Sequence, residues 1–438
     1  MGEQREASGR SRRWRRRALA AAALTVLLLP VAACGGDDNK DSASKSDDTT
    51  GTTANAADLL GSTNKATGEP VKIGMVSDGA TDAYDNTDEL RSAKAAAEYW
   101  NNYKGGIGGR PIQVVTCETK GDPAGATDCG NKMVEQKVTA VTLSQSGVAD
   151  SLYTPLHAAG IPTFFFQYNG SEMLADKKDS FVMQNPLATL FGVPIATAEK
   201  AKTDRIDFIV IDVPVALSSF ESGDAKKILD KAGMKYDLIK IPIGTADVTA
   251  QMQQVVSNGA GTVQIIANDA LCIAAINGLK AVGYTGAIAT VSQCITDATR
   301  KGVPNGGLEG VNITATQAVG AKDDTAYQRY EAVMAKYGTD VKDVPNALAM
   351  GGYTAMASLA QAMSGVTGDV TPASAAAAIK SMKKADFPGA DGITYQCGGS
   401  AFPSQPAVCT NQSLSASLDA NGEIAKYDPV DSTDILPQ

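Results

Sequence analysis

Polar residues directly follow five apolar, strand-like runs of this sequence, and they are its best candidates for chemistry. In open α/β sheets, ligands bind at the carboxyl ends of the strands, where the connecting loops meet helix N-termini. The five loops begin at Ser144, Gln167, Asp212, Asn268 and Ser292. The first loop, Ser144-Gln145-Ser146-Gly147, opens a predicted helix. Its hydroxyl and N–H groups therefore suit a carboxylate or another anionic or carbonyl oxygen.

Catalytic chemistry finds little support in the sequence. The glycine-rich run Gly105-Gly106-Ile107-Gly108-Gly109 follows a predicted helix and precedes a strand, the reverse of the dinucleotide-binding order. There is no P-loop, no G-x-S-x-G motif and no histidine-based triad, because the only histidine is His157. His157 shares a helical pattern with Leu152 and Leu156, which predicts a structural role. We therefore expect neither an enzyme nor a cofactor.

Six of the seven cysteines fall into near pairs. The pairs are Cys117 with Cys129, Cys272 with Cys294, and Cys397 with Cys409. Six cysteines allow many pairings, and the sequence alone does not choose among them. Local pairing in an oxidising compartment nevertheless favours these three disulfides. A metal site is the alternative, but no C-x-x-C motif occurs, and we expect no metal.

The N-terminal segment has the features of an export signal. Seven arginines precede Ala18, and the run from Ala18 to Val31 is almost entirely apolar. This run is too short for a comfortable membrane-spanning helix, which needs about 20 residues. Residues 1–33 are therefore predicted to be a signal peptide. The residues Val31-Ala32-Ala33-Cys34 resemble the lipobox of bacterial lipoproteins, in which the cysteine is acylated; the alternative is an ordinary secretory signal with a chance cysteine.

Residues 34–69 have the composition of a disordered tether, with many Asp, Ser, Thr, Gly, Asn and Lys and little to bury. Without residues 1–33 the formal net charge changes from −9 to about −14. So acidic a body argues against nucleic acid and against anionic lipid as partners. The remaining chain is long enough for two lobes with separate cores.

Strands and helices alternate from residue 71 onward. Val71–Val76 is a predicted buried strand, and Asn86 a predicted helix cap, with Glu89 reaching back to its N–H. Further strands are predicted at 112–115, 138–143, 162–166, 205–211, 236–243, 262–267 and 287–291. Two such βα blocks predict an α/β fold with two doubly wound, parallel-sheet lobes. Near the C-terminus, residues 393–428 are predicted to form a hairpin pinned by Cys397 and Cys409.

Several segments resemble the branched-chain-amino-acid-type substrate-binding proteins of ABC importers. They are Val71-Lys72-Ile73-Gly74, Glu98-Tyr99-Trp100-Asn101-Asn102, Gly105 to Ile112, Cys117 to Ala124, and Ala159-Gly160-Ile161-Pro162. The resemblance implies the type I periplasmic-binding-protein fold, with a three-strand hinge between the lobes. The implied lobe I is 70–187 and 318–385, and lobe II is 188–317 and 386–438. The hinge crossings are then expected near Pro186, near Gln317 and after about Ala385.

The resemblance also implies roles for the polar loops. In this family, α-amino-acid binders place Ser or Thr and backbone N–H groups on the solute carboxylate, and an acidic group and tyrosines at its ammonium. Ser144 and Ser146 match the first role, and Asp269 or Asp212 the second. Tyr84 is expected to cover the ligand at the cleft mouth. The other expected ligand contacts share only their loop positions: Gln145, Gln167, Tyr168, Asn268 and Gln293.

The implied function is the capture of a small polar solute by lobe closure and its delivery to an ABC permease in the membrane. An amino acid of the branched-chain type is the favoured solute. The protein is expected to be a monomer on the outer face of the cell membrane, held by a lipid on Cys34. Because 164–169 and 212–216 depart from the segments usual in amino-acid binders, amides, aromatic acids and short peptides remain alternatives. A ligand-sensing lipoprotein is the other class left open.

Overall fold

The structure is a computed structural model that describes residues 55–81, 84–168, 170–259, 261–304 and 306–437. The predicted signal peptide, Cys34 and the part of the predicted tether before Asn55 lie outside the described residues. Within these ranges, no helix is both long enough and apolar enough to cross a membrane.

Strands and helices alternate along the described chain. The strands are β1 (Val71–Ser77), β2 (Ile112–Glu118), β3 (Ala140–Leu143), β4 (Thr163–Phe165), β5 (Ser180–Gln184), β6 (Arg205–Ile211), β7 (Lys235–Ile241), β8 (Thr262–Ile266), β9 (Ala287–Val291), β10 (Asn312–Ala315), β11 (Ala385–Asp386), β12 (Thr394–Tyr395), β13 (Val408–Thr410), β14 (Gln412–Leu418) and β15 (Ile424–Asp431). The α-helices are α1 (Ala56–Leu60), α2 (Thr87–Tyr99), α3 (Pro123–Glu135), α4 (Ala149–Ala158), α5 (Ser171–Ala175), α6 (Pro186–Lys200), α7 (Pro214–Glu221), α8 (Asp224–Lys231), α9 (Thr249–Ser257), α10 (Asp269–Ala281), α11 (Asp297–Gly302), α12 (Thr325–Tyr337), α13 (Ala347–Ala362) and α14 (Pro372–Lys380).

Two large sheets organise these elements. The first has the strand order β13-β5-β4-β3-β1-β2, with all neighbouring strands parallel. The second has the order β15-β14-β10-β9-β8-β6-β7. It is parallel from β10 to β7, while β14 and β15 are antiparallel to their neighbours. We call the bodies built on these sheets the first and the second lobe. The predicted α/β fold class is confirmed.

The C-terminal region was predicted to cross to lobe II soon after Ala385, but the structure places this crossing later. β13 lies beside β5 in the first sheet, with Val408 opposite Val182, so this part of 386–438 belongs to the first lobe. β13 takes this position because β5 would otherwise leave an unpaired edge of the sheet. The Val182 N–H on β5 donates to the carbonyl of Ala407 at 2.8 Å. The hairpin consists of β14 and β15 and begins after Cys409. The third crossing therefore lies at 410–412 and not soon after Ala385.

The predicted tether also extends too far along the chain. Residues 55–69 are folded onto the first lobe, beginning with α1, whose Leu60 is buried. The Arg329 side chain on α12 donates to the carbonyl of Leu59 at 3.2 Å, and the Ala66 N–H donates to the carbonyl of Asn101 at 2.7 Å. A few apolar residues in a polar segment are enough to anchor it, which composition alone does not reveal.

Helices α2 and α13 pack unusually closely because α13 consists largely of small residues. A Cβ atom on Gly352 would lie 2.0 Å from the backbone oxygen of Glu89, so only glycine fits there. The predicted side-chain capping of α2 is wrong. Asn86 makes no capping hydrogen bond from its side chain, and the Glu89 side chain is buried in the protein. Close packing of α13 therefore covers an acidic side chain.

All three predicted disulfides are present. Their Cα–Cα distances are 5.6 Å for Cys117–Cys129, 5.5 Å for Cys272–Cys294 and 4.1 Å for Cys397–Cys409. The first joins β2 to α3, and the third joins the segment after β12 to β13. The second joins α10 to the turn that follows β9, and so it connects two loops of the second lobe.

Candidate functional site

The carboxyl ends of the two parallel sheets meet where the chain crosses between the lobes. Gln184, the last residue of β5, donates from Nε2 to the carbonyl of Thr316, just beyond β10, at 3.1 Å. The next residue, Asn185, donates from its backbone N–H to the carbonyl of Thr410 at 3.0 Å and from Nδ2 to Asn411 Oδ1 at 2.9 Å. The loops after the parallel strands of both lobes therefore flank one crossing region, which is where this class of sheet binds ligands.

Asp78 is the centre of the first-lobe loops. It follows β1 directly, is half-buried, and accepts two hydrogen bonds on Oδ1. The donors are Thr119 Oγ1 at 2.7 Å and Ser146 Oγ at 2.6 Å. Three loops, those after β1, β2 and β3, are joined by this one carboxylate. No hydrogen bond to its Oδ2 occurs among the described residues.

A second carboxyl group lies behind Asp78. The Glu89 side chain is fully buried, and its Oε2 accepts from Ser77 Oγ at 2.5 Å. Its Oε1 has no hydrogen-bond partner among the described residues. Burial raises the pKa of Glu89 to about 8. The nearby hydroxyls of Ser77 and Ser144 act in the opposite direction, and the charge of Asp78 raises the pKa further. Glu89 is therefore mostly protonated at neutral pH.

The second-lobe loops combine local contacts with a hydrogen bond between two loops. Asn268 accepts the Leu271 N–H at 3.1 Å and caps α10. Asp269 accepts from the Ala270 N–H at 2.8 Å and from Thr296 Oγ1 at 3.3 Å. Asp212 is exposed, and within the described chain its side chain makes no hydrogen bond. On this wall the carboxylate oxygens of Asp212 have no partner within the described chain, whereas both oxygens of Asp269 are hydrogen-bonded.

Acidic residues dominate the loops after the parallel strands. Together with the first residue of each following helix, the described parts of these loops hold nine acidic side chains: Asp78, Asp85, Asp122, Asp212, Asp247, Asp269, Asp297, Asp323 and Asp324. The basic residues of these same described stretches are Lys120 and Lys322. Lys120 pairs with Glu118 and donates to the carbonyl of Ala80 at 3.0 Å, and Lys322 pairs with Glu331.

Several of these acids are compensated locally. Asp85 pairs with Lys342 at 2.5 Å, and this hydrogen bond holds its pKa well below the usual range. Asp297 lies 3.4 Å from Arg300. Asp122 and Asp247 accept backbone N–H groups at the starts of α3 and α9. Asp269 likewise accepts a backbone N–H, that of Ala270. Like Asp122 and Asp247, the acids Asp78, Asp212 and Asp269 have no basic partner among the described residues, and both lobes contribute to this set.

A possible metal-ligand group lies elsewhere. His157 Nδ1 is 3.1 Å from Asp179 Oδ1 and 3.9 Å from Asp176 Oδ2, and these three side chains could hold a cation. The same nitrogen is 3.0 Å from the Tyr153 hydroxyl. The group lies where α4 ends and β5 begins, at the opposite edge of the first sheet from Asp78. Its contacts fit the structural role predicted for His157.

Comparison with known families decides the class of protein. A family model described as "Periplasmic binding protein" matches residues 70–407. The chain belongs to this family. Such proteins are extracytoplasmic, bind small-molecule solutes, work with ABC permeases and are not enzymes. No curated protein sequence matches the chain.

Solved periplasmic binding proteins share the fold at low sequence identity. An ABC transporter substrate-binding protein from Sphaerobacter thermophilus aligns with a TM-score of 0.65 and 16% identity, covering 84% of this chain and 100% of that one. The branched-chain amino acid binding protein LivJ from Streptococcus pneumoniae, in complex with isoleucine, gives 0.58 and 18%, covering 83% and 99%. A solute-binding protein from R. palustris in complex with 4-hydroxybenzoate gives 0.60 and 16%, covering 83% and 97%.

In this periplasmic binding protein the two serines expected to read a carboxylate are already engaged. Ser146 donates to Asp78, and Ser144 is buried beside Glu89. A Cβ atom on Gly351 would lie 2.4 Å from Ser144 Oγ, which shows how tightly α13 covers this serine. Their role toward a ligand stays a prediction. The structure gives the Ser146 hydroxyl an internal carboxylate partner and places Ser144 beside the buried Glu89.

The other expected contacts fall into two groups. Gln145, Gln293 and Tyr84 are exposed, Tyr84 to 40%, and Gln167 is half-buried. Tyr168 differs, because it is only 8% exposed, packs edge-on against Phe165, and donates its hydroxyl to Asp150. Burial and an internal partner make Tyr168 a core residue. Asn169 lies outside the described residues.

Three residues of this edge escaped prediction from the sequence: Asp78, Thr119 and Glu89. Asp78 carried a usable signal, because it is the first polar residue after a buried strand, as Asp212 is after β6. Thr119 likewise follows β2 directly. Glu89 gave no such signal, since its position three residues after Asn86 is typical of an exposed capping residue.

Proposed function

We propose that this periplasmic binding protein captures a small polar solute between the loops of its two lobes and hands it to a membrane permease. The supporting observation is the meeting of both carboxyl edges at the crossing segments, with Asp78 on one side and Asp212 and Asp269 on the other. A carboxylate without a basic partner attracts a group that donates hydrogen bonds and carries positive charge.

An ammonium group meets both requirements, so amino acids are the solute class that we propose. The branched-chain type is the specific case favoured by sequence resemblance, and the isoleucine complex of LivJ is consistent with it. The solute is expected to bind one lobe first, after which a bend at the crossing segments closes the other lobe over it.

We further propose that residues 1–33 are removed on export and that a lipid on Cys34 holds the protein at the outer face of the membrane. Detergent phase separation of cell extracts tests this directly. The natural chain should enter the detergent phase, and Cys34→Ala should stay in the aqueous phase. Equal partition of both proteins would contradict lipid attachment at Cys34.

A thermal-shift screen of the body from Asn55 onward tests solute binding. The library should hold amino acids, amides, short peptides, aromatic acids and sugars, after copurified ligand has been removed by refolding or dialysis. A solute at 100 times its Kd adds about 2.7 kcal/mol to the free energy of unfolding, which raises the midpoint visibly. No shift with any solute would contradict the proposed function.

A further inference from the structure

We infer that the solute carries a net positive charge and that Asp78 binds its cationic group, a primary ammonium or a guanidinium. The inference rests on the proposed function. It narrows the solute class from amino acids in general to cationic amino compounds, and so it sets aside the uncharged branched-chain type that the sequence resemblance favours. It assigns Asp78 a role in specificity.

Hydrogen-bond accounting at the first lobe provides the first argument. Ser146 Oγ and Thr119 Oγ1 both donate to Asp78 Oδ1, at 2.6 and 2.7 Å. A solute carboxylate could recruit these hydroxyls only by taking them from Asp78. The unbonded Oδ2 can only accept, because an ionised carboxylate has no proton to donate. The solute group that completes this corner must therefore be a donor.

The buried acid behind Asp78 provides the second argument. Glu89 is fully buried, and its Oε1 has no hydrogen-bond partner among the described residues. Its other oxygen is bonded to Ser77, the residue before Asp78. A solute carboxylate at this corner would approach one ionised acid and one acid that deep burial already keeps from ionising. A cation there would instead be attracted by the charge of Asp78.

The charge of the facing wall provides the third argument. Asp212 and Asp269 on the second lobe have no basic partner within the described chain, and Lys120 on the first lobe is paired with Glu118. A cleft lined by one sign of charge concentrates solutes of the opposite sign and repels those of the same sign. Closing the lobes on an anion would bring like charges together without compensation, whereas closing on a cation neutralises them.

The test is isothermal titration calorimetry on the protein from Asn55 onward, with its natural sequence and with matched probes. The cationic probes are L-arginine, agmatine and putrescine, the zwitterionic ones L-leucine and L-isoleucine, and the anionic ones L-glutamate and 4-hydroxybenzoate. We expect binding by at least one cationic probe, with affinity that falls as NaCl rises from 50 to 300 mM because salt screens the attraction.

Two variants locate the cationic group. Asp78→Asn keeps an oxygen that accepts from Ser146 and Thr119 but removes the charge, and it should weaken the cationic probe by about tenfold or more. Asp230→Asn is the matched control, because Asp230 lies exposed on α8 and, within the described ranges, pairs only with Lys226. The solute affinity of this variant should not change. If Asp78→Asn has a lowered thermal midpoint, Asp269→Asn supplies the same comparison from the second lobe.

The outcomes separate the inference from the function beneath it. Binding of a zwitterionic or anionic probe without a cationic one would keep the solute-binding function and overturn the inference. The inference would also be overturned if Asp78→Asn and Asp269→Asn both bound the cationic probe as tightly as the natural protein does. The absence of binding by every probe class, together with a negative thermal-shift screen, would overturn the proposed function itself.

Discussion

The two lobes hold their cleft loops in different ways. In the first lobe, polar side chains bond across long stretches of sequence, as Ser146 does to Asp78, 68 positions away, and Ser77 to Glu89, 12 positions away. In the second lobe, Thr296 donates to Asp269, 27 positions away, at a longer 3.3 Å, and Asn268 accepts from the Leu271 N–H only three positions away. The second lobe also joins these two loops covalently, by the Cys272–Cys294 disulfide.

This difference makes the two walls sensitive to different conditions. The first-lobe arrangement depends on the charge state of two carboxyl groups, so pH and charge-removing substitutions should affect it. The second-lobe arrangement depends on a covalent bond and on helix capping, so reduction should affect it and pH should matter less. The following predictions test that division, from the largest expected effect to the smallest.

Glu89→Gln should show the largest effect, which grows as pH rises from about 4.5 to about 8. Because the pKa of Glu89 is about 8 in the folded protein and 4.5 ordinarily, the folded state keeps a proton that the unfolded chain loses between these values. Stability contributed by the neutral acid is therefore present at low pH and falls as pH rises from about 4.5 to about 8. The variant cannot ionise, and above pH 8 its free energy of unfolding should exceed that of the natural chain by on the order of 5 kcal/mol.

Urea unfolding of both proteins between pH 5 and pH 9 measures this difference. Glu309→Gln is the control, because Glu309 is exposed and its substitution should give the same difference at every pH. A difference between Glu89→Gln and the natural chain that stays constant with pH would show that Glu89 is ionised in the folded protein.

Removing the second-lobe disulfide should have the next largest effect. The double variant Cys272→Ser with Cys294→Ser should lose about 3 kcal/mol of unfolding free energy, as expected for a closed loop of this size. Solute affinity should fall as well, because the two joined loops then lose conformational freedom on binding. Calorimetry and chemical denaturation of the same samples provide both values.

The first-lobe disulfide is the matched comparison. Cys117→Ser with Cys129→Ser should lose a similar free energy of unfolding but retain its solute affinity, because hydrogen bonds to Asp78 still hold the first-lobe loops. Equal losses of affinity in the two double variants would remove the proposed distinction between the lobes.

Ser146→Ala should have a moderate effect. It removes one of two hydrogen bonds to the Asp78 carboxylate, and a bond to a charged group is worth about 1.5–3 kcal/mol. Partial exposure of both residues places the expected loss near the lower value. If Ser146 instead served a solute carboxylate, its removal would weaken binding of zwitterionic amino acids and leave the free energy of unfolding unchanged.

Asn268→Ala should have the smallest effect. It removes the cap of α10 and should lower the unfolding free energy by about 1 kcal/mol, with solute affinity unchanged. Asn268→Ser keeps a capping oxygen and should restore most of the stability. A loss of affinity that Asn268→Ser does not restore would assign Asn268 to the ligand.

The sequence carried much of the fold because the βα rhythm is a local signal. The strand predicted at 205–211 is observed as β6 with the same bounds, and the strand predicted to begin at Val71 begins there as β1. The three disulfides were equally accessible, since each pair is close in sequence. The position of β13 was not, because its partner β5 lies more than two hundred residues earlier and three residues form too short a signal.

The site was less predictable for a related reason. Loop position correctly indicated which stretches follow the parallel strands, but the partner of each side chain depends on contacts between loops. The bond from Ser146 to Asp78 requires β1 and β3 to be neighbours, and the burial of Glu89 requires α13 to cover it. Tyr168 was predicted as a loop residue but is a core residue, because its hydroxyl donates a hydrogen bond to Asp150 on α4.

The docking of α1 settles which lobe the upstream chain is attached to. Asn55 caps a helix fixed to α12 of the first lobe, so any load transmitted along the preceding residues acts on that lobe. In the proposed closure, the second lobe would move relative to this anchored first lobe by bending at the crossing segments. A partner that contacts the second lobe would then detect whether solute is bound without touching the solute.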